Sequence, residues 1–159
     1  MIYLISYKHK RKVDSLTHLR YRFFDELTRF FTRGKYTHSE IAIKQPNGSY
    51  DCYSSSVRDK GVRKKNMFLK PERWDFIELP NVTEAQVEYY FNLTDYQKYD
   101  FLGAIGLALP FRDNSKKQFC SEWCYNAINS KMVKGMFCDS KNGWRFSPSQ
   151  LYAIYNKNY

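Results

Sequence analysis

The sequence predicts an α+β fold of one domain, in which a small antiparallel β-sheet packs against helices. Three observations predict it. A chain of 159 residues with 43% apolar content suits one compact core. Apolar residues recur at spacings of three and four in some segments, while others are short β-type runs bounded by turn residues. An Asn47-Gly48 pair between two of those runs is a strong hairpin signal.

Taken in order, Met1-Ile2-Tyr3-Leu4-Ile5 reads as a first buried strand. Lys8, Lys10, Arg11 and Lys12 follow it, on the wrong side of the apolar run for a signal peptide. No segment approaches the roughly 18 continuous apolar residues that span a bilayer. Asp14 or Ser15 can cap a helix over 15–33 in which Leu16, Leu19, Phe23, Leu27, Phe30 and Phe31 form one face, ending before Gly34. His38–Lys44 and Tyr50–Tyr53 then form a hairpin. A two-residue Asn47-Gly48 loop would set Lys44 opposite Asp51, with His38, Glu40, Ala42, Asp51 and Tyr53 on one face and Ile41 and Ile43 toward the core. A further strand is expected over 73–79, closed by Pro80. Thr83-Glu-Ala-Gln86 is a capping box opening a helix over 83–96. Residues 101–109, apolar but broken by two glycines, read as a close-packed buried segment before a polar loop from Arg112 to Gln118. A helix starts at Cys120, and Ser147-Pro-Ser-Gln150 opens a short last helix.

Composition bounds partners and chemistry. Lys+Arg number 26 against 16 Asp+Glu, a formal charge of +10, and aromatics reach 18%. Such a surface favours anionic polymers, nucleic acid or an acidic membrane surface, although charge governs association rather than chemistry. The densest basic stretch runs from Arg58 to Lys65. Four cysteines, at 52, 120, 124 and 138, with one close pair and three histidines in the chain, do not make a zinc pattern. Without a secretory segment the thiols are expected to be reduced, in a cytoplasmic setting.

Cys120 stands where a polar loop meets a helix, so first-turn N–H groups and the helix dipole stabilise its thiolate, the reactive form. Cys124, one turn on, reads as a packed thiol. His38 opens a strand, whereas His9 and His18 have no placed carboxylate neighbour. An imidazole that takes a thiol proton works better when a third group fixes its orientation, and Asp51 on the same expected face could do so.

These segments resemble, as a set, a known family: Phe31-Thr-Arg-Gly-Lys-Tyr-Thr-His38-Ser-Glu-Ile-Ala-Ile, Lys98-Tyr-Asp-Phe-Leu, Gln118-Phe-Cys120-Ser-Glu-Trp and Phe146-Ser-Pro-Ser-Gln-Leu. They are similar to the circularly permuted branch of the NlpC-type papain-like cysteine peptidases and amidases, in which the His strand precedes the Cys helix. The resemblance covers about residues 15 to 152. It implies a papain-like fold with Cys120 as nucleophile, His38 as general base, and Tyr99 near the nucleophile as an oxyanion donor beside the backbone N–H of Cys120, with Ser121 also lining the site. The family's third polar residue falls on the dipeptide Asp51-Cys52. Because this hairpin is one residue longer than the family's, Glu40 competes with Asp51 for that place.

The resulting expectation is a thiol hydrolase that needs no metal or organic cofactor and acts on a peptide, amide or lipid-acyl substrate. The same thioester could be handed to an acceptor, making an acyltransferase. A different class of function is an inactive cationic domain that binds nucleic acid or anionic membrane.

Overall fold

The computed structural model describes residues 1–9, 34–99, 117–133, 136–138 and 146–157. The helix expected over 15–33 and the apolar segment 101–109 lie outside them. The described chain is α+β, with three helices beside one large sheet and a small β8–β9 ribbon, Lys131–Val133 against Met136–Cys138.

The large sheet is built from β1 (Ile2–Tyr7), β2 (His38–Lys44), β3 (Tyr50–Ser56), β4 (Gly61–Met67), β5 (Trp74–Glu78), β6 (Lys98–Tyr99) and β7 (Lys117–Gln118). Its order is β5-β1-β2-β3-β4-β6-β7. The first six are antiparallel to their neighbours, and β7 joins β6 in parallel.

Alternation along the strands divides two apolar sets, because successive side chains leave opposite faces. Leu4, Ile41, Ile43, Tyr53 and Ile77 form one set and are all buried. Against them pack Val87 and Tyr90 from α1 (Glu84–Thr94), Trp123, Cys124 and Ala127 from α2 (Cys120–Asn129), and Leu151 from α3 (Pro148–Asn156). Full burial of a large apolar side chain contributes about 1.5–3 kcal/mol. Trp123, with no exposed surface, combines this with an indole N–H donated to Thr94 Oγ1 at 2.9 Å, which ties α2 to α1. The other set, Ile5, Ala42 and Cys52, is flanked by Tyr3, Tyr50, Met67, Leu69, Trp74 and Phe76.

The helix starts follow their local chemistry. Thr83 caps α1 through its side chain to the Gln86 N–H at 3.2 Å. Ser147 and Gln150 form the reciprocal capping box of α3, with Pro148 in its first turn. No helix among the described residues is long and apolar enough to cross a membrane.

The β2–β3 turn departs from the two-residue loop expected. Gln45 N–H donates to Ser49 O at 2.9 Å and Gly48 N–H to Gln45 O at 3.1 Å, so Pro46, Asn47 and Gly48 make a three-residue loop. Proline suits the second position of a type I turn, and Gly48 takes the left-handed position at φ 83°. Asn47 Oδ1 accepts both the N–H and the hydroxyl of Ser49. The extra residue moves the register by one: Lys44 opposes Tyr50, and Asp51 opposes Ile43. Asp51 and Tyr53 therefore share a face with Ile41 and Ile43, and Cys52 comes round beside Ala42.

Two contacts hold the sheet's flanks. Asp75 on β5 accepts from Lys8 Nζ at 2.5 Å, Lys35 Nζ at 3.0 Å and the Tyr36 hydroxyl at 2.7 Å, binding the segment before β2 to the edge strand. Partial burial works against its charge, but these donors outweigh it and hold the carboxyl down at about 2. At the other side a Cβ on Gly61 would lie 2.3 Å from Gln97 O, so the close β4–β6 approach needs glycine.

Asp75→Asn is expected to cost about 2 kcal/mol at neutral pH. Because the folded-state pKa is depressed, this contribution is present above the unfolded value of about 3.9 and is lost as pH falls through about 2. Urea titrations at neutral and acid pH check this, and a wild-type to variant gap that fails to shrink on acidification counts against it. Gly61→Ala should cost about 1–3 kcal/mol by forcing β6 away, read as a lowered thermal midpoint.

Candidate active site

Gln118 and Phe119 set where α2 begins. Gln118 Nε2 donates to the Tyr90 hydroxyl at 2.8 Å, and its carbonyl accepts the Ser55 hydroxyl at 2.6 Å, anchoring the entry to α1 and β3. Phe119 is extended at the N-cap, and its N–H is accepted by Glu122 Oε2 at 3.3 Å. Cys120 is thus the first helical residue, 4% exposed, with its sulfur in the field of the helix N-terminus. Backbone N–H groups of Ser39 and Ser121 donate to that sulfur, so the N-terminus of α2 meets the start of β2.

The Cys120 side chain is hydrogen-bonded to His38. His38 Nε2 lies 3.0 Å from Glu40 Oε1. Spacing of i and i+2 on one strand puts both side chains on the same face. Glu40 is 2% exposed, and such a carboxylate needs full compensation. Arg63 on β4 provides it as a two-pronged pair, Nη2 to Oε1 at 2.6 Å and Nη1 to Oε2 at 3.1 Å. Arg63 also donates to the Cys52 carbonyl at 3.0 Å and to Asp59 Oδ2 at 3.2 Å, and Asp59 in turn accepts from Lys65. The result is a row of alternating charge running from the sulfur to the protein surface.

These neighbours set the protonation states. For Cys120, burial opposes ionisation, but the imidazolium and the two backbone donors outweigh it and lower the thiol's pKa. For His38, burial opposes the charged ring, but the sulfur and then Glu40 overcome it and push the ring up to about 10. Glu40 is held below the ordinary carboxylate range despite its burial, by His38 and Arg63. Cys52 and Cys124 go the other way, both raised chiefly by burial. Of Cys52, Cys120 and Cys124, all three free, Cys120 is the one poised as a thiolate.

The residues singled out in the sequence are distributed as follows. His38, Cys120 and Glu40 come together. Asp51 does not join them. The one-residue register change puts it on the other face, where it accepts from Asn66 Nδ2 at 2.7 Å and Gln45 Nε2 at 3.3 Å and pairs with Lys64 at 3.5 Å. Tyr99, opposite Gln118 in the β6–β7 pair, lines the same cleft as His38 and Glu40. Ser121 is fully buried and its hydroxyl donates to Phe146 O at 2.7 Å, so its backbone N–H rather than its side chain faces the sulfur. Arg63 was not foreseen. Its signal was the basic stretch 58–65, whose residues from Gly61 onward form part of β4.

The cleft has a volume of about 390 Å³ and opens onto the imidazole side of the pair, with His38, Glu40, Trp74 and Tyr99 among its walls. Comparison with known protein families, curated proteins and solved structures finds no match to this chain.

Glu40→Gln should weaken the hold on the imidazolium. The pH at which Cys120 alkylation is half-maximal is expected to rise by about one unit or more, since one unit corresponds to the loss of about 1.4 kcal/mol of charge interaction. Iodoacetamide rates measured across pH test this, and an unmoved profile would assign the orienting role elsewhere.

Proposed function

We propose that this chain is a cysteine-dependent hydrolase of the permuted, NlpC-type papain-like class, with Cys120 as nucleophile, His38 as general acid and base, and Glu40 as the group that orients His38. The observation that carries the reading is the hydrogen-bonded Cys120–His38 pair at a helix N-terminus, in which the thiol's pKa is lowered and the ring's raised while Cys52 and Cys124 move the opposite way. The order of the two residues along the chain supports the permuted assignment.

In the proposed reaction the Cys120 thiolate adds to the carbonyl carbon of an amide, ester or thioester. Negative charge on the carbonyl oxygen is met by backbone N–H of Cys120, with the Tyr99 hydroxyl as a second donor. As the tetrahedral intermediate collapses, the C–N, C–O or C–S bond breaks, and His38 gives its proton to the departing group, leaving an S-acyl enzyme and a neutral ring. A water molecule then adds to the thioester carbon as His38 takes its proton, and the thiolate leaves, restoring the ion pair. An acceptor alcohol or amine in place of water would make the same centre an acyltransferase. Arg63 keeps Glu40 ionised, so the ring is held in one orientation through both half-reactions.

Iodoacetamide near neutral pH should label Cys120 in preference to Cys52 and Cys124, as mapped by peptide mass spectrometry. His38→Ala should slow the labelling about tenfold or more, because the thiol reverts toward its ordinary pKa of about 8.5. Equal labelling of wild type and His38→Ala would sink the dyad. Turnover of activated amide or thioester substrates should vanish in Cys120→Ala and show a basic limb near pH 10, where the ring loses its proton.

A further inference from the structure

We infer that the cleft beside His38 is a recognition site for an anionic acyl compound, one that carries a carboxylate or phosphate next to an apolar group. The inference rests on the hydrolase reading for its acyl chemistry, but its binding argument is independent of catalysis.

Charge comes first. Among the described residues, Arg58, Arg63, Lys65, Lys70 and Arg73 line the cleft against two carboxylates, Glu40 and Asp59. The two carboxylates are already engaged by Arg63, Lys65 and His38. Lys70 and Arg73, both on the loop between β4 and β5, have no side-chain hydrogen bond or ion pair among the described residues. Glu72, on the same loop, is not part of the lining. Two uncompensated cations at a concave mouth focus a positive potential into it, which concentrates anionic ligands. A guanidinium beside an ammonium suits an oxyanion, Arg gripping two oxygens in its plane and Lys acting as a point charge.

The walls supply the second requirement. Met67, Phe68, Leu69 and Trp74 border the same space, and Phe68 is 75% exposed between the end of β4 and Lys70. An exposed phenylalanine at the lip of a pocket loses water-accessible area when a ligand's apolar group lies on it. Cations at the rim and an apolar wall in the cleft beside His38 together describe a ligand with a charged end and an apolar body.

The test uses decyl phosphate, decanoate, neutral decyl maltoside and inorganic phosphate as probes of Cys120→Ala, with binding followed by titration calorimetry. Decyl phosphate and decanoate should bind about tenfold or more tightly than decyl maltoside, and this preference should fade as salt shortens the screening length to about 3 Å near 1 M. Lys70→Gln/Arg73→Gln should abolish the preference, and Phe68→Ser should weaken both alkyl anions while leaving inorganic phosphate unchanged. These substitutions are at exposed loop positions, and circular dichroism confirms the fold. Equal binding of neutral and anionic probes, or a preference that survives the double substitution, overturns the inference. Inorganic phosphate binding as tightly as decyl phosphate overturns its apolar half. These outcomes leave Cys120 alkylation untouched, whereas a Cys120 that resists alkylation removes the hydrolase reading without altering the probe affinities.

Discussion

The candidate site depends on one buried carboxylate. Glu40, 2% exposed, sits between the His38 ring and the Arg63 guanidinium and bonds to both. A charge taken that far out of water is tolerable only when its lone pairs are met by cations and donors in good geometry. Here the requirement is met by drawing together β2 and β4, which lie on either side of β3. The sheet order β2-β3-β4 and the close packing of those strands are therefore as much a part of the site as the residues themselves.

Around this carboxylate the charges alternate outward from sulfur to imidazolium, carboxylate, guanidinium, Asp59 and Lys65. Such an arrangement restrains the extremes. Arg63 prevents Glu40 from taking up a proton despite its burial, and by sharing its charge keeps the carboxylate from acting as a base in its own right. In the proposed reaction His38 is the group that moves a proton, and Cys120 the group whose charge is made available. Pressure on the other thiols is opposite in sign, since Cys52 and Cys124 lie in apolar or anionic surroundings that favour the neutral form.

Helix α2 brings the sulfur to this row through small side chains. Ser39, Ser54 and Ser55 are fully buried where α2 crosses β2 and β3, and Ser54 and Ser55 spend their hydroxyls on the carbonyls of Ser39 and Gln118. Larger residues there would hold the helix off the sheet and lift Cys120 away from His38. The free side of the ring instead faces a cleft with a basic and aromatic lining, so packing and access are divided between the two sides of His38.

Local elements were legible in the sequence because their causes are local. The capping boxes at Thr83 and Ser147, the proline at the start of α3 and the helix start at Cys120 depend on residues within one turn of each other. The proximity of His38 to Glu40 was likewise implicit, since i and i+2 must share a face of any strand. The third member was not decided there: Pro46 and Gly48 made a loop of three residues rather than two, and in a sheet a single-residue slip carries every side chain to the other face, taking Asp51 away. Arg63 could not be foreseen from spacing at all. It lies 23 residues from Glu40, and only hydrogen bonding between strands, which sums over the whole sheet, determines which distant cation meets a buried carboxylate.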